Sequence, residues 1–268
     1  MPARPLASAR PGGGLLSGLP PVCAVAIDGL PELRPGDDLA APIAAALPSD
    51  LSNADVVCVA HKIVSKAEGR LRRLGEIVPG ERARELAAEH GKDPRVVQAM
   101  LDESTAVLRA GHGVLVCETR HGLVCANAGV DRSNVADPDE LVLLPADPDR
   151  SARALRAGIA AARGVAPAVV VSDSFGRAWR LGQTDVAIGA AGLAPLDDWS
   201  GRRDAHGREL RATAIAVADA VAGAADLARA KDAAQPVVLV RGLGRFVTAG
   251  DGPGAAALRR PPADDLFR

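Results

Sequence analysis

The near absence of aromatic side chains constrains the fold of this chain most. Phe, Trp and Tyr make up 2% of its 268 residues and Tyr does not occur, while hydrophobic residues reach 48%. The core must therefore be built from Ala, Val, Leu and Ile. A chain of this length can bury about 70% of its unfolded surface, which is enough for a core without disulfide or metal staples. This excludes fibrous, disordered and disulfide-scaffold proteins.

The charge balance argues against two classes of partner. The chain has 32 basic and 33 acidic residues, whereas a nucleic-acid coat or a membrane-surface protein needs a basic excess. No apolar run reaches the ~18 residues of a membrane span, and Pro and Gly interrupt the first twenty residues. We therefore predict a cytoplasmic protein with no nucleic-acid or membrane partner and a flexible extension over residues 1–20. Each cysteine lies in an apolar run, as a small buried residue in a reducing compartment would: Cys23, Cys58, Cys117 and Cys125.

Hydrophobic periodicity predicts both strands and helices. The expected strands are 22–27, 56–60, 168–171 and 236–240, with a hairpin of 114–117 and 123–126. The expected helices are 39–47, 81–90, 95–105, 147–163 and a long Ala-rich one over 208–230, followed by a tail in the last ~20 residues. Because these elements do not alternate regularly, we expect an α+β fold and not a doubly wound sheet.

Familiar nucleotide and hydrolase motifs are missing. None of the four lysines is followed by Ser or Thr, as a P-loop requires. G-x-G-x-x-G after a strand, H-E-x-x-H and G-x-S-x-G do not occur either, and the histidines lack metal-ligand spacing.

The first unusual segment is His61–Arg70, HKIVSKAEGR, directly after a predicted strand. Lys66 and the arginines that follow it concentrate positive charge beyond the strand, which suits phosphate groups. A solvated basic loop is the alternative.

The second segment is Asn127–Asn134, NAGVDRSN. Asp131 and Asn134 offer oxygen ligands three residues apart, of the kind that Mg²⁺ or Mn²⁺ takes together with substrate phosphates. The alternative is an Asx-type turn that closes the hairpin.

The third segment is Ser172–Arg180, SDSFGRAWR. A carboxylate and a hydroxyl at the end of a β-branched strand, beside arginines, indicate a site for a metal and an anion. The alternative is a helix N-cap at Asp173 or Ser174.

Together these segments resemble the coenzyme F420-0:L-glutamate ligase (γ-glutamyl ligase) family over residues 22–242. The motifs that carry the resemblance follow one another along the chain: GLPEL at 29–33, KIVSKAEGR at 62–70, NAGVDRSN at 127–134, SDSFGRAWR at 172–180, AIGAAG at 187–192, DDWSGRRDAHGREL at 197–210 and VVLVRG at 237–242.

The resemblance implies a GTP-dependent amide ligase that adds L-glutamate to F420-0 through an acyl phosphate. It also implies two Mg²⁺ or Mn²⁺ ions per subunit, stimulation by K⁺ and an intertwined homodimer of a family-specific α+β fold. The ligase domain would cover residues 21–246, as one unit or as two subdomains, and residues 247–268 would form a C-terminal tail.

Site residues transfer by position. The nucleotide contacts implied by the family are Leu30, Pro31, Glu32, Leu33, His61, Lys62, Lys66 and Asn134. The implied metal ligands are Asp131, Asp173 and Ser174, and we expect Lys66, Asp131 and Asp173 to carry the catalysis. Arg177, Arg180, Arg202 and Arg203 are further candidates for holding the anionic substrates.

One departure from the family pattern stands at Lys231, where an acidic metal ligand is expected. Some relatives also continue into a nitroreductase-like domain, and the sequence ends about where that domain would begin, which predicts the ligase step alone. The competing functions are a metal-dependent nucleotide hydrolase and a non-catalytic deazaflavin-binding protein on the same scaffold.

Overall fold

The computed structural model describes residues 18–133, 137–230 and 232–266. The strands are β1 Cys23–Ile27, β2 Val56–Ala60, β3 Leu71–Arg73, β4 Ser104–Gly111, β5 Val114–Thr119, β6 Val124–Ala126, β7 Glu140–Val142, β8 Ala168–Arg177, β9 Arg180–Ala191, β10 Leu196–Asp198, β11 Ala214–Ala216 and β12 Val237–Arg241. The α-helices are α1 Ala40–Ala46, α2 His61–Ala67, α3 Glu81–His90, α4 Pro94–Asp102, α5 Pro148–Arg163 and α6 Val217–Ala228.

A five-stranded sheet in the order β1-β12-β2-β8-β9 forms the centre of the molecule. Strands β2 and β8 pair in parallel, with Ala60 opposite Ser172, and the other pairs of this sheet are antiparallel. Its central strands read as continuous apolar runs because both faces are covered.

Helices cover the two faces of this sheet. On one face α1 and α5 contribute Ile43 and Ile159, which lie in one buried cluster with Val57. On the other face α6 contributes Val221, which lies in one cluster with Val56. The β-branched and alanine side chains therefore form the core, as the low aromatic content predicts.

Residues 71–142 form a second packed unit between α2 and α5. Helices α3 and α4 cover the three-stranded sheet β4-β5-β6, and Leu86, Met100 and Leu115 share one buried cluster. The Arg70 guanidinium links Glu103 of this unit to the segment that leads into α5, since it donates to Glu103 at 2.6 Å and to the Leu144 carbonyl at 3.0 Å.

The mixed α and β architecture with antiparallel sheets is confirmed, and so are most of the predicted strands and the 114–126 hairpin. The basic segment after β2 begins with a helix, α2, so the alternative of a solvated basic loop was wrong. Sequence reading placed the end of β8 at Ser172–Ser174, but the strand continues to Arg177 because β9 pairs with it along that stretch. The N-cap alternative for Asp173 and Ser174 was therefore wrong as well.

Other corrections concern Ala- and Gly-rich sequence. The predicted helix over 208–230 begins only at Val217, because Ala214–Ala216 pairs with Leu196–Asp198 as a strand. Strand β9 was missed because its AIGAAG segment has little β-propensity. Strand β4 was missed too, since the 95–105 helix was drawn through its first residues.

The structure bears differently on the predictions for the two chain ends and for the cysteines. Residues 1–17 of the predicted extension lie outside the described residues. In the predicted tail, Asp251 accepts from Arg156 at 2.9 Å, and the amide of Ala255 donates to buried Asp149 at 2.7 Å. Cys23 is exposed, contrary to expectation, while the other three cysteines are buried and none is in a disulfide.

Across the described ranges, no helix is both long and apolar enough to cross a membrane.

Gly189 on β9 gives a stability prediction. A Cβ at this position would lie 2.2 Å from the backbone oxygen of Pro148, the first residue of α5. Since neither element can yield without moving backbone, Gly189→Ala should destabilise the fold by about 1–3 kcal/mol. Urea unfolding measures this loss. Gly176→Ala is the control, since a Cβ there meets nothing within 4 Å, and equal stability of both variants would contradict the packing argument.

Candidate active site

A pocket of about 780 Å³ opens where β2 ends and α2 begins, beside Ser172–Ser174 of β8. Its size suits a nucleotide-sized ligand. The residues that line it come from distant parts of the chain: Leu30–Leu33, Ala60–Ile63, Lys66, Asp131, Ser133, Ser172–Ser174, Gln183, Asp185, Arg229, Ala230 and Ala234–Pro236. The described residues of the predicted nucleotide contacts and metal ligands therefore all line one pocket.

Asp131 and Lys62 form the ion pair on one wall. Lys62 Nζ lies 2.6 Å from Asp131 Oδ2 and also donates to the Ser133 hydroxyl. The other carboxylate oxygen of Asp131 accepts from the amide of Ser133 at 2.9 Å. Asp131 thus makes an Asx turn, but this turn lies beyond the hairpin and does not close it as the alternative required, and the Asp131 carboxylate also faces the pocket.

The surroundings of Asp131 favour its charged form. Burial raises the pKa of this carboxyl, but the hydrogen bonds from Lys62 and from the Ser133 amide outweigh burial and lower the pKa to about 2. The carboxylate is therefore ionised throughout the physiological range.

Lys66 lies one helical turn beyond Lys62 on α2. Its ammonium pairs with Glu32 at 2.5 Å, and its side chain is 12% exposed against 69% for Glu32. The stem of Lys66 is thus buried in the protein, while the carboxylate that neutralises it stands in solvent. Such a carboxylate is readily displaced by a stronger anion.

Asp173 lies on β8 beside His61. His61 Nε2 stands 3.3 Å from Asp173 Oδ1, and its Nδ1 lies 3.3 Å from the Ser65 hydroxyl. The imidazole is 2% exposed, and its Nε2 lies near the Asp173 carboxylate without making a hydrogen bond to a described residue. Asp173 itself is 15% exposed and accepts from the amide of Ser174 at 2.8 Å.

A buried polar network forms the floor of the pocket. The Asp185 carboxylate, with 0% side-chain exposure, accepts from the hydroxyls of Ser172 at 2.8 Å and Ser174 at 2.6 Å. The Arg229 guanidinium pairs with the same carboxylate and also donates to Ser172 at 3.3 Å. Arg229 neutralises a charge that would otherwise be costly to bury.

The pocket therefore presents matched charges. Lys62, Lys66 and Arg229 each stand against a carboxylate, which is Asp131, Glu32 and Asp185 respectively. A phosphate group entering this pocket competes for the lysines, and a cation competes for the released carboxylates. Such an arrangement suits a ligand that carries both, such as a metal-bound nucleotide.

The donor set fits a hard divalent cation. Asp131, Asp173 and Ser174 supply oxygen ligands in one pocket, and Mg²⁺ is commonly held by one or two carboxylates plus waters and phosphates. Within the described part of the chain, no three His, Cys, Asp or Glu side chains group closely enough to hold a metal by themselves. Ligand oxygens would have to complete the coordination.

Some predicted residues are not brought to the pocket. Among the described lining residues none of the candidate arginines occurs: Arg177, Arg180, Arg202 and Arg203. Arg177 instead donates to the Leu181 carbonyl at 2.6 Å, and Arg202 stacks on Trp199. Asn134 and Lys231 lie outside the described residues.

Sequence reasoning missed Asp185 and gave no site role to Arg229. The only signal for Asp185 was a charged residue directly before the apolar VAIGAA stretch, and that signal needed β9 to be recognised as a strand. Arg229 was visible only as part of the segment around Lys231.

A sequence model of the F420-0:Gamma-glutamyl ligase family matches residues 29–242. A relative from Methanopyrus kandleri, named coenzyme F420:L-glutamate ligase, is 46% identical over 88% of this chain and 94% of its own length. Relatives of the same name from Methanothermobacter thermautotrophicus and Haloarcula marismortui are 44% and 45% identical, over 91% of this chain and 98% and 94% of their own lengths. The protein belongs to the F420-0:γ-glutamyl ligase family, and the expectation drawn from its motifs is confirmed.

The lowered pKa of Asp131 predicts a pH dependence of stability. A carboxyl whose pKa is lower in the folded than in the unfolded chain stabilises the fold above pH about 4, and this contribution is lost as the pH falls toward about 2. In metal-free buffer, wild type should thus lose stability relative to Asp131→Asn as the pH falls from about 5. Urea unfolding over a pH series measures the difference. A difference that does not change with pH would contradict the assignment, and in the Lys62→Met background the pH dependence should shrink.

Proposed function

We propose that this protein joins L-glutamate to F420-0 in coenzyme F420 biosynthesis, with GTP as the source of energy. The relatives named as coenzyme F420:L-glutamate ligases support the reaction. The observation that carries the proposal is the pocket itself, which Lys62 and Lys66 line from one short helix. Lys62 pairs there with Asp131, and Asp173 lies on the neighbouring strand.

The chemistry requires an activated carboxylate. A carboxylate does not react with an amine at neutral pH, because oxide would have to leave. Transfer of the γ-phosphoryl group of GTP to the terminal carboxylate of F420-0 gives an acyl phosphate and GDP. The glutamate amine then attacks the acyl carbon, phosphate leaves with the bonding electrons, and the amine loses its proton as the amide forms.

Phosphoryl transfer depends mainly on position and charge neutralisation. We assign Lys66 to the transferring phosphoryl group, because its ammonium is held by a buried stem and only an exposed Glu32 competes for it. Lys62 would contact a neighbouring phosphate once Asp131 is engaged elsewhere. Leu30–Leu33 and Asn134 would contact the rest of the nucleotide, and His61 would hold Asp173 in place.

Divalent cations enter the proposal as the partners of the acidic side chains. Asp131, Asp173 and Ser174 would hold Mg²⁺ or Mn²⁺, and the metal would supply positive charge to bridge the phosphates. Stimulation by K⁺, implied by the family resemblance, stays a prediction.

We also propose a homodimer. Residues 176–183, the hairpin arm, join β8 to β9 and are exposed along their length. Trp179 and Leu181 on this arm are 84% and 96% exposed. A second copy of the chain would cover these apolar side chains, which supports the intertwined dimer implied by the resemblance.

Dependence of GTP consumption on both acceptor substrates tests the function. In the presence of Mn²⁺, the purified protein should release GDP and phosphate only when F420-0 and L-glutamate are both present, with one amide formed per GTP. Steady GTP hydrolysis without either substrate would favour the nucleotide hydrolase. Binding of F420-0 without any GTP consumption would favour the non-catalytic binding protein.

Lys66→Met tests the assignment of the phosphate-binding lysine. Methionine keeps the buried stem and removes only the charge, so turnover should fall by about 10²-fold or more. The melting temperature should change little, since the partner Glu32 stays solvated. Lys92→Met, at a lysine outside the pocket lining, should keep the wild-type rate. Normal turnover of the folded Lys66→Met variant would contradict the assignment of Lys66 to the transferring phosphoryl group.

The dimer proposal predicts twice the chain mass in light-scattering chromatography at micromolar concentration. Leu181→Glu should shift the protein toward monomer, because it places a charge in the apolar contact. Val78→Glu serves as the control, since Val78 is 84% exposed and belongs to the second packed unit and not to the hairpin arm. A wild-type monomer at this concentration would contradict the proposal.

A further inference from the structure

Asp185 fixes the direction in which the Ser174 hydroxyl donates its hydrogen bond. An ionised carboxylate only accepts hydrogen bonds, so the short contact between Ser174 Oγ and Asp185 Oδ1, at 2.6 Å, commits the serine proton to Asp185. Both residues line the pocket. The Ser174 oxygen can then meet a ligand in the pocket only as a donor of electron pairs.

The network around Asp185 holds this state in place. Ser172 commits its own proton to the other carboxylate oxygen at 2.8 Å, and Arg229 pairs with the carboxylate that both serines share. The side chains of Asp185 and Arg229 are 0% and 11% exposed, so solvent screens the pair weakly. The arginine pairs with the buried carboxylate, and the hydroxyls of both serines donate to that carboxylate.

We propose that Asp185 is a positioning residue that presents the Ser174 oxygen to a divalent cation. This inference rests on the proposed function, and it assigns Asp185 a task that the ligase chemistry itself does not name. A phosphate oxygen, which is also an acceptor, would be repelled by Ser174 in this orientation. The floor of the pocket is thereby selective for the cation, and the phosphates are directed to the lysines of α2.

Asparagine at position 185 removes this control. The amide has the shape of the carboxylate but carries donor hydrogens, so it can turn the serine proton toward the pocket, and Arg229 loses its counter-charge. Partners that orient metal ligands are typically worth about 10–100-fold in metal affinity. Asp185→Asn should therefore weaken Mn²⁺ binding by about tenfold or more.

The experiment measures binding without turnover. Free Mn²⁺ is followed by electron paramagnetic resonance while protein is added in the presence of a non-hydrolysable GTP analogue. If Asp185 acts through Ser174, the double variant Ser174→Ala/Asp185→Asn binds Mn²⁺ no more weakly than Ser174→Ala alone, to within about threefold. Ser172→Ala should cost less than Ser174→Ala, although it removes a hydrogen bond to the same carboxylate.

Wild-type Mn²⁺ affinity in Asp185→Asn would overturn the proposal. A double variant whose loss of Mn²⁺ affinity equals the product of the losses in Ser174→Ala and Asp185→Asn would overturn it too. Should Asp185→Asn fail to fold, Asp185→Asn/Arg229→Gln replaces it, because this variant removes both charges of the pair. Wild-type affinity in that variant would equally overturn the proposal. A wild-type protein that ligates glutamate but binds no Mn²⁺ would overturn this inference and leave the ligase proposal standing. A protein that binds Mn²⁺ as described but ligates nothing would do the reverse.

Discussion

The parallel pairing of β2 and β8 is the constraint on which the pocket depends. Because the two strands run in the same direction, the carboxyl end of β2 lies beside β8 at the point where Ala60 stands opposite Ser172. The residues that come next are His61 and Lys62 at the start of α2 and Asp173 on β8. They are thereby brought together at one edge of the sheet from more than a hundred positions apart. This is the edge of a sheet where α/β proteins commonly bind ligands.

The charges of the pocket follow from its partial burial. A buried lysine or aspartate alone would be costly, so each cation is held against a carboxylate in the ligand-free protein. The pairs differ in what can displace them. The Arg229–Asp185 pair lies in the floor and is almost fully buried, whereas Glu32 stands in solvent beside Lys66. The Arg229–Asp185 pair is thus suited to stabilise the fold of the pocket. The lysines are suited to leave their carboxylate partners and bind the phosphates of a nucleotide.

Much of the site could be predicted from the sequence, while its geometry could not. The apolar runs predicted most of the central sheet, and the motifs predicted Lys66, Asp131 and Asp173, which the structure places in one pocket. The course of β9 was not predictable from propensity, because Gly189 is required by its contact with Pro148 and not by strand formation. Asp185 was lost with that strand. The mixed composition of residues 208–216 likewise hid a short strand that forms only by pairing with Leu196–Asp198.

The proposed phosphorylation of a carboxylate in this pocket, before the amide forms, is tested most directly by isotope transfer. F420-0 labelled with ¹⁸O in its terminal carboxylate is converted with GTP, Mn²⁺ and L-glutamate, and the released phosphate is analysed by ³¹P nuclear magnetic resonance. Each released phosphate should carry one oxygen from the carboxylate, since the acyl phosphate breaks between the carbon and that oxygen. Phosphate without the label, formed together with the amide product, would contradict the proposed phosphorylation.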